Sequence, residues 1–229
     1  MSDETGARIR KKALALFRKR GFERTTMRDI ARAAKVSLGA AYYYFPSKDA
    51  LVLSYYEDMQ LAHDKAARAA FRGANGLEER VRGVLHSKLD VVADDRHLLG
   101  AIFRTAVDPE SALSAFASST GGVRQQSVAI FDEAVGDEPM PEDIRALLPK
   151  AMWLLHVGML LYFAHDQSPG QIRTRHLVDD AARVIVPLIA MASLPMLAPM
   201  REELVRLVAR AFEPQVPSPS TPPAPGESS

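Results

Sequence analysis

The sequence predicts an all-α fold in two parts: an N-terminal three-helix head carrying a helix-turn-helix, and a larger C-terminal helical body. Three observations lead there. Apolar residues recur at helical spacing along the chain, and no segment alternates with the period of a strand. Residues 26–48, TMRDIARAAKVSLGAAYYYFPSK, hold two short helical stripes joined by a tight turn. Charge is also divided. Residues 1–48 carry 12 Lys/Arg and 4 Asp/Glu, a surplus of +8, while the whole chain is +1, so residues 49–229 carry −7. A basic head on an acidic body is the footprint of a protein that presents one end to phosphate.

The elements follow in order. A first helix is expected over about 4–20, ending at Gly21. A second spans 27–34. Thr26 and Asp29 have the spacing of a capping box, with Asp in the place of the usual Glu. Met27, Ile30, Ala31 and Ala34 form its apolar stripe. Lys35 and Val36 close the turn, and Ser37 caps a third helix over 38–44 whose inner side carries Ala41, Tyr44 and Phe45. Pro46 and Ser47 stop it and start a long helix over 47–72, which runs from the head to Gly73–Gly76. Further helices are expected over 77–93, 96–107, 111–134, 142–165, 172–193 and 200–212. Breaks fall at Asp108-Pro109, between Gly136 and Pro141, at Ser168-Pro169-Gly170, and between Pro195 and Pro199. Gly121-Gly122 is expected to bend the 111–134 helix. Residues 213–229 hold 6 Pro among 17 positions and should be disordered. The expected division is therefore 1–48, 49–212 and 213–229.

A chain of 229 residues has ample length for a core. It has no cysteine, which excludes disulfides and thiolate metal sites and suits a reducing cytoplasm, the expected location. The start, MSDETGARIRKK, has no apolar stretch of the kind a secretory signal needs. Residues 184–200 run without a charge, near the lower length limit for crossing a bilayer. Pro187, Pro195 and Pro199 interrupt them, and Arg183 and Arg201 flank them. A buried helix that breaks near Pro195 is expected instead, with no membrane partner.

The outer face of the third helix is unlike core. It presents Leu38, Gly39, Ala40, Tyr42 and Tyr43. Small residues permit close approach to another surface, and the tyrosines add flat apolar area with a hydroxyl tip. Together with Ile9, Ala13, Leu16, Phe17, Gly21-Phe22, Thr25-Thr26, Ile30-Ala31, Val36-Ser37, Gly39, Tyr42, Phe45, Lys48 and Leu51, this pattern resembles the DNA-binding domain of the TetR family of transcriptional repressors. The likeness covers residues 9–51, about a fifth of the chain. It implies a homodimer on a double-stranded DNA operator. Thr26, Arg28, Tyr42 and Lys48 would hold phosphates, Leu38, Ala40 and Tyr43 would reach base edges, and Ser37 belongs to the same set. The face lacks Arg, Asn and Gln, so thymine methyls, DNA shape and Arg28 should carry sequence preference. Two positions depart from the family. Lys35 stands where Gly is usual, and Ala41 stands where a large apolar residue is usual, which leaves looser packing or a space for Tyr44.

The body offers no catalytic constellation, and no cofactor or metal site is expected. His156 and His165 lie about two and a half turns apart and do not converge. In the 142–165 helix, Trp153, His156, Val157, Leu160 and Leu161 share one side, while Leu155, Met159, Tyr162 and Phe163 take much of the rest. A helix apolar nearly all round is buried on both sides. Such residues can simply fill core. The family resemblance instead implies a ligand cavity on one side and a subunit contact on the other. Phe103, Arg104, Arg124, Trp153, His156 and Tyr162 are the candidate ligand residues, the arginines pairing with an acidic group if they point inward. Val178, Ala182, Ile185 and Ile189 are the expected dimer seam. The resulting expectation is a repressor released from its operator by a small apolar or aromatic ligand. A dimeric DNA-binding or adaptor protein without an effector is the rival reading, and an enzyme a third.

Overall fold

The structure is a computed structural model and describes residues 2–212 apart from 107 and 109. The tail expected to be disordered lies outside the described residues. The helices are α1 Ser2–Arg20, α2 Met27–Ala34, α3 Leu38–Tyr44, α4 Lys48–Phe71, α5 Leu77–Val91, α6 Arg96–Ala106, α7 Gly121–Val135, α8 Glu142–His165, α9 Ile172–Ala192 and α10 Ala198–Ala211. Among the described residues there is no strand.

Local chemistry sets the head. Thr26 Oγ1 accepts from the Asp29 amide at 3.2 Å, and the Asp29 carboxylate accepts from the Thr26 amide at 3.1 Å, completing the capping box. Ser37 and Ser47 cap α3 and α4 through the amides of Ala40 and Ala50. Lys35 sits at φ 55, ψ 47 after α2, the left-handed conformation in which a side chain costs about 1 kcal/mol relative to Gly. Ile9, Ala13, Phe17, Ile30, Ala34 and Ala41 are sealed in the head's core. Above Ala41, Tyr44 packs on α1 so closely that a Cβ at Gly6 would lie 3.2 Å from its ring. Tyr44 thus takes up space next to the small Ala41.

The long α4 leaves the head and packs on α5 and α7, while α8 packs on α6, α7, α9 and α10. The approach of α4 to α5 is close. A Cβ at Gly83 would meet the Ala70 Cβ at 2.8 Å, so the crossing needs a glycine there.

One expected helix is different. Residues 111–117 are turns, Ser118–Thr120 is a single 3-10 turn, and α7 starts at Gly121. The Ser111 and Ser114 hydroxyls accept from the amides of Leu113 and Phe116, and Thr120 donates to the Ser114 carbonyl. Side chains that bond the local backbone compete with helix. Gly121-Gly122 starts a helix where a bend was expected. The apolar run 184–200 breaks at Ser193-Leu194, and the flanking helices cross at 91°. By length and composition α8 could cross a bilayer, but it is wedged among four other helices.

Candidate functional site

The head's outer surface gathers the expected DNA-contacting residues. Thr26, Arg28 and Ser37 are exposed, as are Leu38, Tyr42 and Tyr43, with Ala40 half-buried between them. Tyr43 is 81% exposed, which no core role explains in a residue of its size. Space around Gly39 is open. Lys48 is half-buried at the start of α4. Its Nζ donates to the Phe22 carbonyl at 2.9 Å and lies 4.3 Å from the Phe22 ring centre. One of its three donors is thereby used to fasten α4 to the α1–α2 turn.

The body contains a cavity of about 490 Å³ between α4, α5, α6, α7, α8 and the 113–116 turn. Of the candidate ligand residues, Phe103, Arg124, Trp153 and His156 line it. So do Val157, Leu160 and Leu161 from the same side of α8. Trp153 meets Phe116 and Phe212 edge to face at 5.7 and 5.4 Å. Two candidates are not there. Arg104 is exposed, bonds the Gly100 carbonyl and lines a separate cleft with Phe22 and Arg24 at the head–body junction. Tyr162 is 44% exposed on the opposite side of α8. Arg124 is in the wall but engaged, its guanidinium donating to the Ala115 and Ala117 carbonyls at 2.7 and 3.3 Å. It holds the turn that shapes the cavity.

Sequence reasoning missed Gln60, Lys88 and Ser127, all buried and all lining the cavity. His63, equally buried, stacks on His156 at 5.9 Å and bonds the Val84 carbonyl through Nε2. Burial, then the charge of Lys88, push His63 down to about 4. The same two causes hold His156 well below the ordinary range.

Another wall residue reaches the head. The Tyr55 hydroxyl donates to Asp95 at 3.0 Å, and the other oxygen of that carboxylate accepts from Arg18 of α1 at 2.5 Å. Thr105 of α6 adds a bond to Glu23 at 3.3 Å.

The four residues expected at the dimer seam do not lie on the exposed face of α9. Val178 and Ala182 are fully buried, and Ile185 and Ile189 pack half-buried against the same core. This stripe faces α5 and α8 within the chain. A second stripe, Leu177, Val184, Leu188 and Met191, is exposed.

Two family patterns match the chain. That of "Bacterial regulatory proteins, tetR family" covers residues 9–55, and that of the "Tetracyclin repressor-like, C-terminal domain" covers residues 80–204. The chain belongs to the TetR family. Among its relatives are the HTH-type transcriptional regulator TtgR of Pseudomonas putida, 42% identical over 69 residues, 30% of this chain and 33% of that protein. The uncharacterized HTH-type regulator YuxN of Bacillus subtilis is 51% identical over 49 residues, 20% of this chain and 17% of that protein. Such matches span at most about a third of these relatives' length. Solved TetR-fold structures extend the likeness to the whole architecture. The fatty acid degradation regulator FadR of Bacillus halodurans superposes with a TM-score of 0.62 at 16% identity, covering 78% of this chain and 94% of that one. Thermus thermophilus FadR, solved in complex with lauroyl-CoA, gives 0.55 at 21% identity, covering 96% and 99%. Likeness at that identity concerns the fold.

Proposed function

We propose that this chain is a cytoplasmic, homodimeric transcriptional repressor that binds operator DNA through its head and is released by a small, mostly apolar ligand held in the body cavity. The observation that carries the reading is the connection between the two ends. Tyr55 lines the cavity and shares Asp95 with Arg18 of the head, so a ligand that moves the wall acts on the helix behind the DNA face. A cavity of about 490 Å³ with apolar and aromatic walls has the size and make-up of a small-molecule site. The exposed tyrosines and the basic surplus of residues 1–48 supply the DNA surface. Thr26, Arg28, Tyr42 and Lys48 hold phosphates, and Ser37, Leu38, Ala40 and Tyr43 face the groove. The ligand works by differential affinity, favouring a body arrangement in which two heads no longer match successive major grooves. The dimer forms through the exposed stripe Leu177, Val184, Leu188 and Met191 of α9.

Trp153 is the only tryptophan of the sequence and lies in the cavity wall, so its fluorescence reports occupancy directly. Operator fragments selected from random DNA are bound to the full chain, and a library of apolar small molecules is titrated in. Compounds that change Trp153 emission are expected to release DNA. Compounds that fill the cavity and leave operator affinity untouched would sink the effector reading.

A further inference from the structure

The cavity lining falls into two sets. Its exposed members, Phe116 and Leu161, are apolar, and Trp153 packs edge to face on Phe116. A buried polar set makes up what we call its floor. Gln60 of α4, Lys88 of α5, Ser127 of α7 and His156 of α8 line it, each less than a tenth exposed. Both amide atoms of Gln60, the Ser127 hydroxyl and both ring nitrogens of His156 are buried without a hydrogen-bond partner. Polar atoms in such places are nearly always paired in native proteins, so five orphans around one cavity mark a place for a polar ligand group.

Charge decides what kind of group. Lys88 is the cation of the floor, and among the described residues no carboxylate forms an ion pair with it. The other ionisable groups around the cavity do not balance it. His63 and His156 are kept neutral, and burial raises the phenols of Tyr55 and Tyr56 far above their ordinary range. Asp64, whose charge bears on His63, is engaged by Arg68 at 2.9 Å. Arg124, at the wall, donates to backbone carbonyls. A lone buried ammonium among amide, hydroxyl and imidazole donors is matched by one acceptor-rich anion. A doubly charged phosphate would leave a second charge uncompensated.

We propose that the ligand of this cavity is a small amphiphile with a single carboxylate, its head seated on Lys88, Gln60, Ser127 and His156 and its apolar body running past Trp153 to Phe116 and Leu161. The proposal rests on reading the cavity as the effector site and adds the class of ligand. It also moves the anion partner from Arg104 and Arg124, one outside the cavity and the other already engaged, to Lys88.

Decanoate and decan-1-ol share a chain length and differ at the head. Both are titrated against the full chain at pH 7 with Trp153 fluorescence as the readout, in the wild type and in Lys88→Met. The wild type is expected to prefer decanoate by about tenfold or more, the scale of a charge-assisted contact. In Lys88→Met that preference disappears while decan-1-ol binds at least as well. Removing an unpaired buried cation should leave the thermal midpoint unchanged or higher. Gln60→Leu, which keeps Lys88, is expected to narrow the preference several-fold and gives the same readout should Lys88→Met not fold. Equal affinity of the wild type for both probes, or an undiminished preference in both variants, overturns the carboxylate assignment and leaves the apolar cavity standing. Failure of both probes to bind the wild type overturns both readings.

Discussion

Lys48 braces the head from inside, and the proposed DNA contact gives it an outward role as well. Its ammonium lies over the Phe22 ring, its Nζ holds the Phe22 carbonyl, and two donors remain for phosphate. Lys48→Met keeps the apolar stem and removes the charge. DNA affinity should then fall equally for all sequences, and the slope of log K against log salt should drop by about one. An unchanged slope in fluorescence anisotropy would reduce Lys48 to a brace. Residues of this kind were legible because the resemblance and the caps fix their place. Lys88 was not. In the run HSKLDVV it reads as one more polar residue on a helix, and only the packing of α4, α7 and α8 around it makes it a buried cation. Arg104 and Arg124 drew notice because they interrupt apolar runs. Long side chains escape such runs, and these did, one to the head–body junction and one to backbone carbonyls.

At the scale of elements, the sequence marks what local chemistry decides. α2 and α3 begin and end where Thr26, Asp29, Lys35 and Ser37 put them. The 111–117 segment carries helix-compatible apolar residues, and its serines turn it into a wall of the cavity instead. α9 shows a different limit. It has two apolar stripes, 178/182/185/189 and 177/184/188/191, and both satisfy helical spacing. Periodicity finds stripes but does not say which one the chain itself covers. Burial separates them, and so does mutation. Leu188→Asp, on the exposed stripe, should give a folded protein that sediments as a monomer and binds operator weakly, because two heads on one palindrome need the two-fold. Val178→Asp, on the buried stripe, should cost several kcal/mol through an unpaired buried charge and unfold a large fraction of the chain. A Leu188→Asp protein that stays dimeric in analytical ultracentrifugation would move the interface off this stripe.

At the scale of the whole molecule, the proposed mechanism links protons, ligand and DNA. Burial pushes His63 down from 6.5 to about 4 and Lys88 down from 10.5 to about 8, and lowers His156 as well. In each case the unfolded state binds more protons between the two values, so stability rises with pH there. The free protein should therefore lose stability as pH falls below about 6.5, by up to about 1.4 kcal/mol per pH unit for each histidine. It should gain stability from pH 8 towards 10.5 as Lys88 sheds its proton. Urea unfolding at pH 5, 7 and 9 reads both windows, and His63→Gln should flatten the acidic one. In the proposed mechanism, ligand and DNA communicate through a second buried charge. Asp95 is 6% exposed, and its two oxygens divide between Tyr55 of the cavity wall and Arg18 of α1. Asp95→Asn keeps the shape and a bond to Tyr55, while Arg18 loses its charged partner. Ligand affinity read by Trp153 should stay within about twofold, since Asn still supports the wall. Coupling should fall, because ligand can bias the head only through contacts that differ between the two arrangements. Coupling is reciprocal, so it can be measured either way: by how much ligand weakens operator binding, or by how much operator weakens ligand binding. In the wild type a factor of about 5–150 is typical of such systems. In Asp95→Asn it should shrink toward one in both directions. A variant that keeps the full factor would show that the message crosses elsewhere, with the Thr105–Glu23 contact at the head–body junction the next to test.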